Sequence, residues 1–235
     1  MNKVLVCPAW NEEGAVGDVV RSAVANGYRI VVVDDGSLDA TAAIARRCGA
    51  IVVQHPMNLG VGAAIQTGFR VALRAGADAV VQVDADGQHP VEQAQYLFDA
   101  LSDSVHMAIG SRFAENEALR PKGMRGVAMR RLASHASNVA GVRITDASSG
   151  FRAISRPLLL QFARRFPSSY LGDTFGALLL ASRLGFGVIQ VPVEMRERQA
   201  GEPSTGAGRS ALLVVRAIAS SVTDETRGGR GWQKK

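Results

Sequence analysis

The sequence has only two cysteines, Cys7 and Cys48, and neither belongs to a C-x-x-C pair or a Cys/His cluster. That excludes a disulfide framework and a zinc site, and both read as small buried hydrophobes in a reducing compartment. No apolar stretch reaches the roughly 18–20 residues that span a bilayer. The longest late candidate, Ala211 to Val222, is short and interrupted by Arg216. No leader peptide is visible, because Met1 to Trp10 is one short apolar strand followed by acids. Aromatic residues make up only 6% of the chain and do not alternate with basic ones, which weighs against a nucleic-acid partner. The first strand is not followed by G-x-G-x-x-G, which disfavours a dinucleotide-dependent oxidoreductase. These absences predict a cytoplasmic protein without a transmembrane segment, at most peripheral on the inner face of the cell membrane.

What is present is apolar and basic. The 235 residues are 47% hydrophobic, enough to bury a substantial core, and fit one large α/β domain or one domain with an appendage. The formal charge is +6, much of it from Arg, which suits bidentate contact with phosphate. A basic balance of this kind serves nucleic acid, anionic lipid and phosphorylated substrates alike.

Period and punctuation predict an alternation of strands and helices. Lys3 to Cys7, Ile30 to Asp34, Ile51 to Gln54, Ala79 to Val83 and Val105 to Gly110 read as buried strands. Between them, helices are expected from Gly14 to Asn26, from Ser37 or Asp39 to Cys48, from the Asn58–Gly62 loop to Ala75, and from Pro90 to Leu101. Gly27 suits a helix-terminating position. This is the signature of a doubly wound α/β sheet. Beyond it, Met124 to Ala140, Pro157 to Phe166 and Leu171 to Leu184 read as helices, and Gly187 to Met195 as a strand. Arg196 to Arg209 reads as a loop, and Ser210 to Val222 as a helix before a polar tail.

The segment Val80 to Pro90 carries the most chemistry. Its apolar strand ends in Asp84 and Asp86, spaced i, i+2, and then Gly87, Gln88, His89 and Pro90. In an extended chain these two carboxylates share a face and repel unless a cation lies between them. Mg2+ or Mn2+ suits that place, since hard cations take oxygen ligands and bridge to phosphates. An Asp-rich turn closing a strand is the competing reading. Three further loops reach the same rim of the sheet. Cys7 to Glu13 offers Trp10 for stacking on a base and Glu12 as an acceptor, or a plain helix-initiating acidic turn. Asp34 to Ser37 offers a carboxylate for ribose or base edges, or a helix cap. Asn58 to Gly62 lacks the Lys of a P-loop and fits tight turning better than phosphate binding.

Taken in order, Pro8-Ala9-Trp10-Asn11-Glu12-Glu13, Val32-Val33-Asp34-Asp35-Gly36-Ser37, Asn58-Leu59-Gly60, Asp84-Ala85-Asp86-Gly87-Gln88-His89-Pro90, Gly110-Ser111-Arg112 and Ser149-Gly150-Phe151-Arg152 resemble the family 2 glycosyltransferases of the GT-A fold. Within that family the likeness is to dolichyl-phosphate mannose synthases and bacterial polyprenyl-phosphate glycosyltransferases, over roughly residues 3 to 204. The resemblance implies a Rossmann-like, mostly parallel sheet flanked by helices, with a C-terminal acceptor-side extension. It implies a GT-A domain over 1–205, divided into a nucleotide-sugar half at 1–112 and an acceptor half at 113–205, and then a helix and polar tail at 206–235.

The implied activity is metal-dependent, inverting transfer of a hexose from a UDP- or GDP-linked sugar to a polyprenyl phosphate. Pro8, Trp10, Glu12, Asp35, Asp84, Ala85, Asp86 and Arg198 would bind the nucleotide-sugar. Trp10 stands where Tyr is commoner. Asp84, Asp86 and Gln88 would hold Mg2+ or Mn2+. Asp84, Asp86 and Arg112 would carry catalysis. Arg112, Arg130, Ser134 and Arg152 would receive the acceptor phosphate, with Arg131 as an alternative to Arg130 and Arg196 as an alternative to Arg198. A membrane surface or a membrane protein is an implied partner. Two alternatives stay open: the same donor chemistry with a saccharide or small-molecule acceptor, for which Asp173 would be a candidate base, and a non-catalytic nucleotide-sugar-binding module.

Overall fold

Runs of Val and Ile place the centre of the sheet, because β-branched side chains pack well on a pleated surface covered on both sides. A computed structural model describes residues 1–111, 123–167 and 172–196. In it, β1 (Lys3–Ala9), β2 (Arg29–Asp34), β3 (Ile51–Gln54), β4 (Ala79–Gln82), β5 (Met107–Ser111), β6 (Arg152–Ser155) and β7 (Val188–Pro192) form one seven-stranded sheet in the order β3-β2-β1-β4-β6-β5-β7. The helices are α1 (Val16–Ala25), α2 (Thr41–Arg47), α3 (Val61–Arg74), α4 (Ala94–Asp99), α5 (Gly123–Ala140), α6 (Arg156–Arg164) and α7 (Ala177–Arg183).

Successive residues of each strand serve opposite layers. Val4, Val6, Val31, Val33 and Val80 pack with Ile65, Phe69, Leu132, Leu158 and Leu178. Leu5, Cys7, Ile30, Val32 and Val81 pack with Val16, Val20, Ala45, Leu97 and Phe98 on the other side. Full burial of each such side chain stabilises the fold by about 1.5–3 kcal/mol.

The pairing is parallel from β3 through β4 and between β5 and β7. The sheet is therefore the expected mostly parallel α/β type, with one element that the periodicity did not give. β6 runs antiparallel to both neighbours, with Ile154 opposite Val80 on one side and Met107 on the other. It has four residues and opens on an arginine, too short and too polar at its start for a hydrophobic-period signal. Its position also places a strand from the later part of the chain between β4 and β5.

Other departures from the expected elements are local. β1 continues through Pro8 to Ala9. Pairing with β4 stops at Val6, so Pro8 removes no ladder bond on that flank. The expected helix from Pro90 begins as a 3-10 turn, Val91–Gln93, before α4. The expected helix from Leu171 begins as a π-helical turn, Gly172–Gly176, a rare form that often marks functional sites. Among the described residues no helix is long and apolar enough to cross a membrane. The expected helix at 210–222 lies outside the described residues.

Candidate active site

The carboxyl ends of β1, β2 and β4 lie side by side, so their loops meet. The first two loops are joined by reciprocal hydrogen bonds. The Asn11 N–H donates to Ser37 Oγ at 2.9 Å, and the Leu38 N–H donates to Asn11 Oδ1 at 2.9 Å. Asn11 holds a φ of 53°, which its short polar side chain tolerates. The Glu12 N–H donates to Thr41 Oγ1 at 2.8 Å, and Glu13 Oε2 accepts from the Ala40 N–H at 3.0 Å. Asp39 Oδ1 accepts from the Thr41 N–H at 2.9 Å, so Asp39 rather than Ser37 serves the start of α2. Trp10 stands beside this junction, 51% exposed, while Pro8 beneath it is buried.

The third loop is held by Asp35. This buried carboxylate accepts from the Leu59 N–H at 3.0 Å and the Gly60 N–H at 2.8 Å. Its Oδ1 also meets His55 Nδ1 at 2.7 Å, and His55 Nε2 meets Thr67 Oγ1 at 2.9 Å. Gly36 has a φ of 74°, and a Cβ there would stand 2.5 Å from the Met57 carbonyl carbon. Only glycine permits that approach. Asp34 is turned inward as well, accepting from the Ser37 N–H at 3.1 Å and Gln54 Nε2 at 3.0 Å. The expectation for Asp35 was a nucleotide contact; the structure gives its carboxylate the added task of shaping the loop at residues 57–60. His55 had no place in the sequence reading, although a histidine at the end of a rim strand was a signal that could have found it.

The fourth loop brings the acids together. Burial raises the Cys7 thiol pKa well above its usual value, and the charges of Asp84, Asp86 and Glu12 add to that rise. The charges of three expected site carboxylates are thus felt at one buried residue of β1. Asp86 is 7% exposed and its Oδ1 accepts from the Gln88 N–H at 3.0 Å, an Asx turn that Gly87 completes at a φ of 78°. The Asp84 side chain is 41% exposed. Ala85 between them is buried and Gln88 is half-buried. The Gln88 carbonyl accepts from the Arg196 N–H at 2.9 Å, and the Arg196 guanidinium pairs with Glu92. Arg196, the alternative to Arg198, is therefore engaged beside the acidic loop.

On the far side of Asp84 lies the 146–152 stretch. Arg152 is 1% exposed, the largest fully buried side chain described. Its guanidinium donates to the carbonyl oxygens of Ser149 at 2.6 Å, Ala147 at 3.2 Å and Thr174. Burial pushes its pKa down to about 10, while Asp173, Asp146 and Asp84 oppose that fall, so it is cationic at neutral pH. The resemblance placed Arg152 at the acceptor phosphate. Here the side chain is buried and braces the loop and the π-helical turn. Asp173, half-buried on that turn, has its pKa raised by burial; Arg152 lowers it and Asp84 raises it further.

α5 carries Arg130 and Ser134 exposed on one face, away from the buried Leu132 and Ala136. Arg131, the alternative to Arg130, is exposed too. Ser111 Oγ meets Thr145 Oγ1 at 3.1 Å, which ties the end of β5 to the residue just before the 146–152 stretch. Arg112 and Arg198 lie outside the described residues.

Among the described residues no three His, Cys, Asp or Glu side chains converge as metal ligands. The expected set is two carboxylates and one amide, all hard oxygen donors. Such a set fits Mg2+ or Mn2+, which complete their shells with water and substrate phosphate.

The sequence model described as glycosyl transferase family 2 matches residues 4–161. The chain is 32% identical over 209 residues to the polyprenol monophosphomannose synthase of Mycolicibacterium smegmatis, covering 84% of this chain and 78% of that one. It is 30% identical over 225 residues to the dolichyl-phosphate hexose transferase of Haloferax volcanii, covering 94% of each. Among solved structures it resembles in fold a glucosyl-3-phosphoglycerate synthase from Mycobacterium tuberculosis in complex with Mn2+ and uridine diphosphate, at 22% identity and a TM-score of 0.64, covering 94% of this chain and 79% of that one.

Proposed function

The chain belongs to glycosyl transferase family 2, and from that premise we propose that it moves a hexose from a UDP- or GDP-linked sugar to a polyprenyl phosphate, with inversion at the anomeric carbon. That it is a glycosyltransferase follows from the family and from the relatives named for that activity. The polyprenyl-phosphate acceptor is carried over from relatives named for polyprenol and dolichyl phosphate.

The observation that supports the site assignment is that the Asp84–Gln88 loop stands at the end of β4 beside the ends of β1 and β2 and meets the 146–152 stretch where Gly150 lies against the Asp84 carboxylate. In this reading Pro8, Trp10, Glu12, Asp35, Ala85 and Arg198 receive the nucleotide, and the exposed Trp10 ring stacks on its base. Asp84, Asp86 and Gln88 hold Mg2+ or Mn2+, which when bound offsets the charge of the departing diphosphate. Arg112, Arg130 and Ser134 orient the acceptor phosphate toward the anomeric carbon. Arg152 supports them by fixing the 146–152 stretch. A phosphate monoester is already anionic near neutral pH, so no strong general base is required. The lipid acceptor is met at a membrane surface, to which the basic chain is attracted.

A second reading keeps the donor chemistry and replaces the phosphate acceptor by a hydroxyl. It rests on Asp173, the candidate base, which lies on the π-helical turn tied to Arg152 through the Thr174 carbonyl and whose pKa is raised by burial. The test is transfer from UDP-glucose, UDP-galactose and GDP-mannose in the presence of Mn2+, with a polyprenyl phosphate or with saccharide acceptors. The expected product is a lipid-linked sugar that disappears with EDTA. Transfer only to saccharide hydroxyls, or transfer indifferent to EDTA, would sink the first reading.

A further inference from the structure

We propose that His89 is a positioning residue for Asp84, holding this carboxylate in the orientation that binds the divalent ion and coupling it to the acceptor-side stretch. The inference deepens the metal assignment above and rests on it.

Three observations carry it. First, the Asp84 backbone N–H donates to His89 Nδ1 at 2.9 Å. A ring nitrogen that accepts from an amide carries no proton, so the neutral ring keeps its proton on Nε2. Second, that Nε2 stands 3.5 Å from Asp84 Oδ2. One buried imidazole is therefore hydrogen-bonded to the main chain of Asp84 and lies beside the carboxylate of the same residue. Third, the His89 ring stacks on Phe151, with centroids 5.1 Å apart and planes inclined by 22°. Phe151 follows Gly150, where an added Cβ would stand 3.2 Å from Asp84 Oδ1. Asp84 is thus flanked by its own loop through His89 and by the 146–152 stretch through Gly150.

The ring is well placed for this task. It is 7% exposed, and Pro90 after it fixes the chain at a φ of −73°. A bare packing role does not explain why the ring accepts from the Asp84 N–H while lying beside the carboxylate of the same residue. Residues that orient a metal ligand from behind are worth about 10–100-fold in metal affinity.

The test titrates the full chain with Mn2+ alone and reads unbound Mn2+ by its electron paramagnetic resonance signal. The wild type is expected to bind one ion that Asp86→Asn loses. If the wild type binds no Mn2+, the metal assignment fails and this proposal falls with it. His89→Phe keeps the ring stack on Phe151 and removes both nitrogens; it is expected to bind Mn2+ about tenfold more weakly with its circular dichroism unchanged. His89→Asn places an amide oxygen where Nδ1 stood and is expected to stay within about threefold of wild type. If His89→Phe does not fold, His89→Leu takes its place with the same expectation. Wild-type affinity in the apolar variant, beside a wild type that binds, overturns the proposal alone. His89→Asn as weak as His89→Phe overturns the amide bond as the holding device.

Discussion

Gly150 lies against Asp84: a Cβ added to Gly150 would stand 3.2 Å from Asp84 Oδ1 and 3.3 Å from Oδ2. The 146–152 stretch and the acidic loop therefore meet at bare backbone, and the position of one sets the position of the other. Gln82 Nε2 closes the same contact, 3.3 Å from that Cβ position.

Gly150→Ala should push the Asp84 carboxylate by a few tenths of an ångström. Because that side chain is partly exposed it can yield at little cost to folding. The expected result is a kcat lowered about tenfold, in line with the sensitivity of reaction rates to small misplacements. The melting temperature should move by only a few degrees. An unchanged kcat would mean that the contact does not set the geometry of catalysis.

Arg152→Met should cost more than about 2 kcal/mol in folding stability, since it leaves three buried carbonyls without their donor. Arg152→Lys restores the charge but not the fork that spans Ser149, Ala147 and Thr174, so it should recover less than half of the loss. Urea unfolding of the two variants beside wild type checks both statements.

Asp173 carries a pH dependence with a defined sign. Burial raises its folded pKa above the unfolded value of 3.8, so the folded state binds the proton more tightly. Its contribution to stability is full below the unfolded pKa and is lost as pH rises through the folded pKa. Asp173→Asn imitates the protonated form at every pH. The variant should therefore be more stable than wild type at pH 8, with the difference shrinking to nothing as pH falls below 3.8. Urea midpoints across that range measure the difference, and one that grows on acidification would reverse the assignment.

Arg130→Ala should raise the KM for polyprenyl phosphate about tenfold, the scale of one lost charge-assisted hydrogen bond, and leave the KM for the nucleotide-sugar unchanged. Steady-state kinetics with each substrate varied in turn separate the two. Unchanged lipid-phosphate kinetics would remove Arg130 from the acceptor site and leave Arg131 as the candidate.

Asp35→Asn should loosen the third loop, because one oxygen cannot replace two for His55, Leu59 and Gly60. Faster amide exchange at Leu59 and Gly60 is the expected signature. Unchanged exchange there would show that the loop is held by other contacts.

Much of the fold was legible because the alternation of apolar strands and amphipathic helices is written locally. Val4 and Val6 face one layer and Leu5 and Cys7 the other, as a period of two requires. The turn chemistry was equally plain at Gly27, which takes a φ of 76° just past α1. β6 was not legible, because four residues headed by Arg152 have no period to read. Nor was the brace on Arg152: an arginine after Ser-Gly-Phe reads as a surface cation until the chain is folded around it.

The sequence by itself determined which loops reach the rim and which of them carry acids, for strand ends and their turns are set within a few residues. It also determined the family, since six short motifs stand in order along one chain. Only the tertiary structure decided what those side chains face. Asp35 turns toward His55 and the third loop, Arg152 is enclosed by carbonyls from residues 147, 149 and 174, and His89 is clamped between Asp84 and Phe151. The Arg152–Thr174 and His89–Phe151 contacts join residues far apart in the chain, and local periodicity carries no information about partners at that separation.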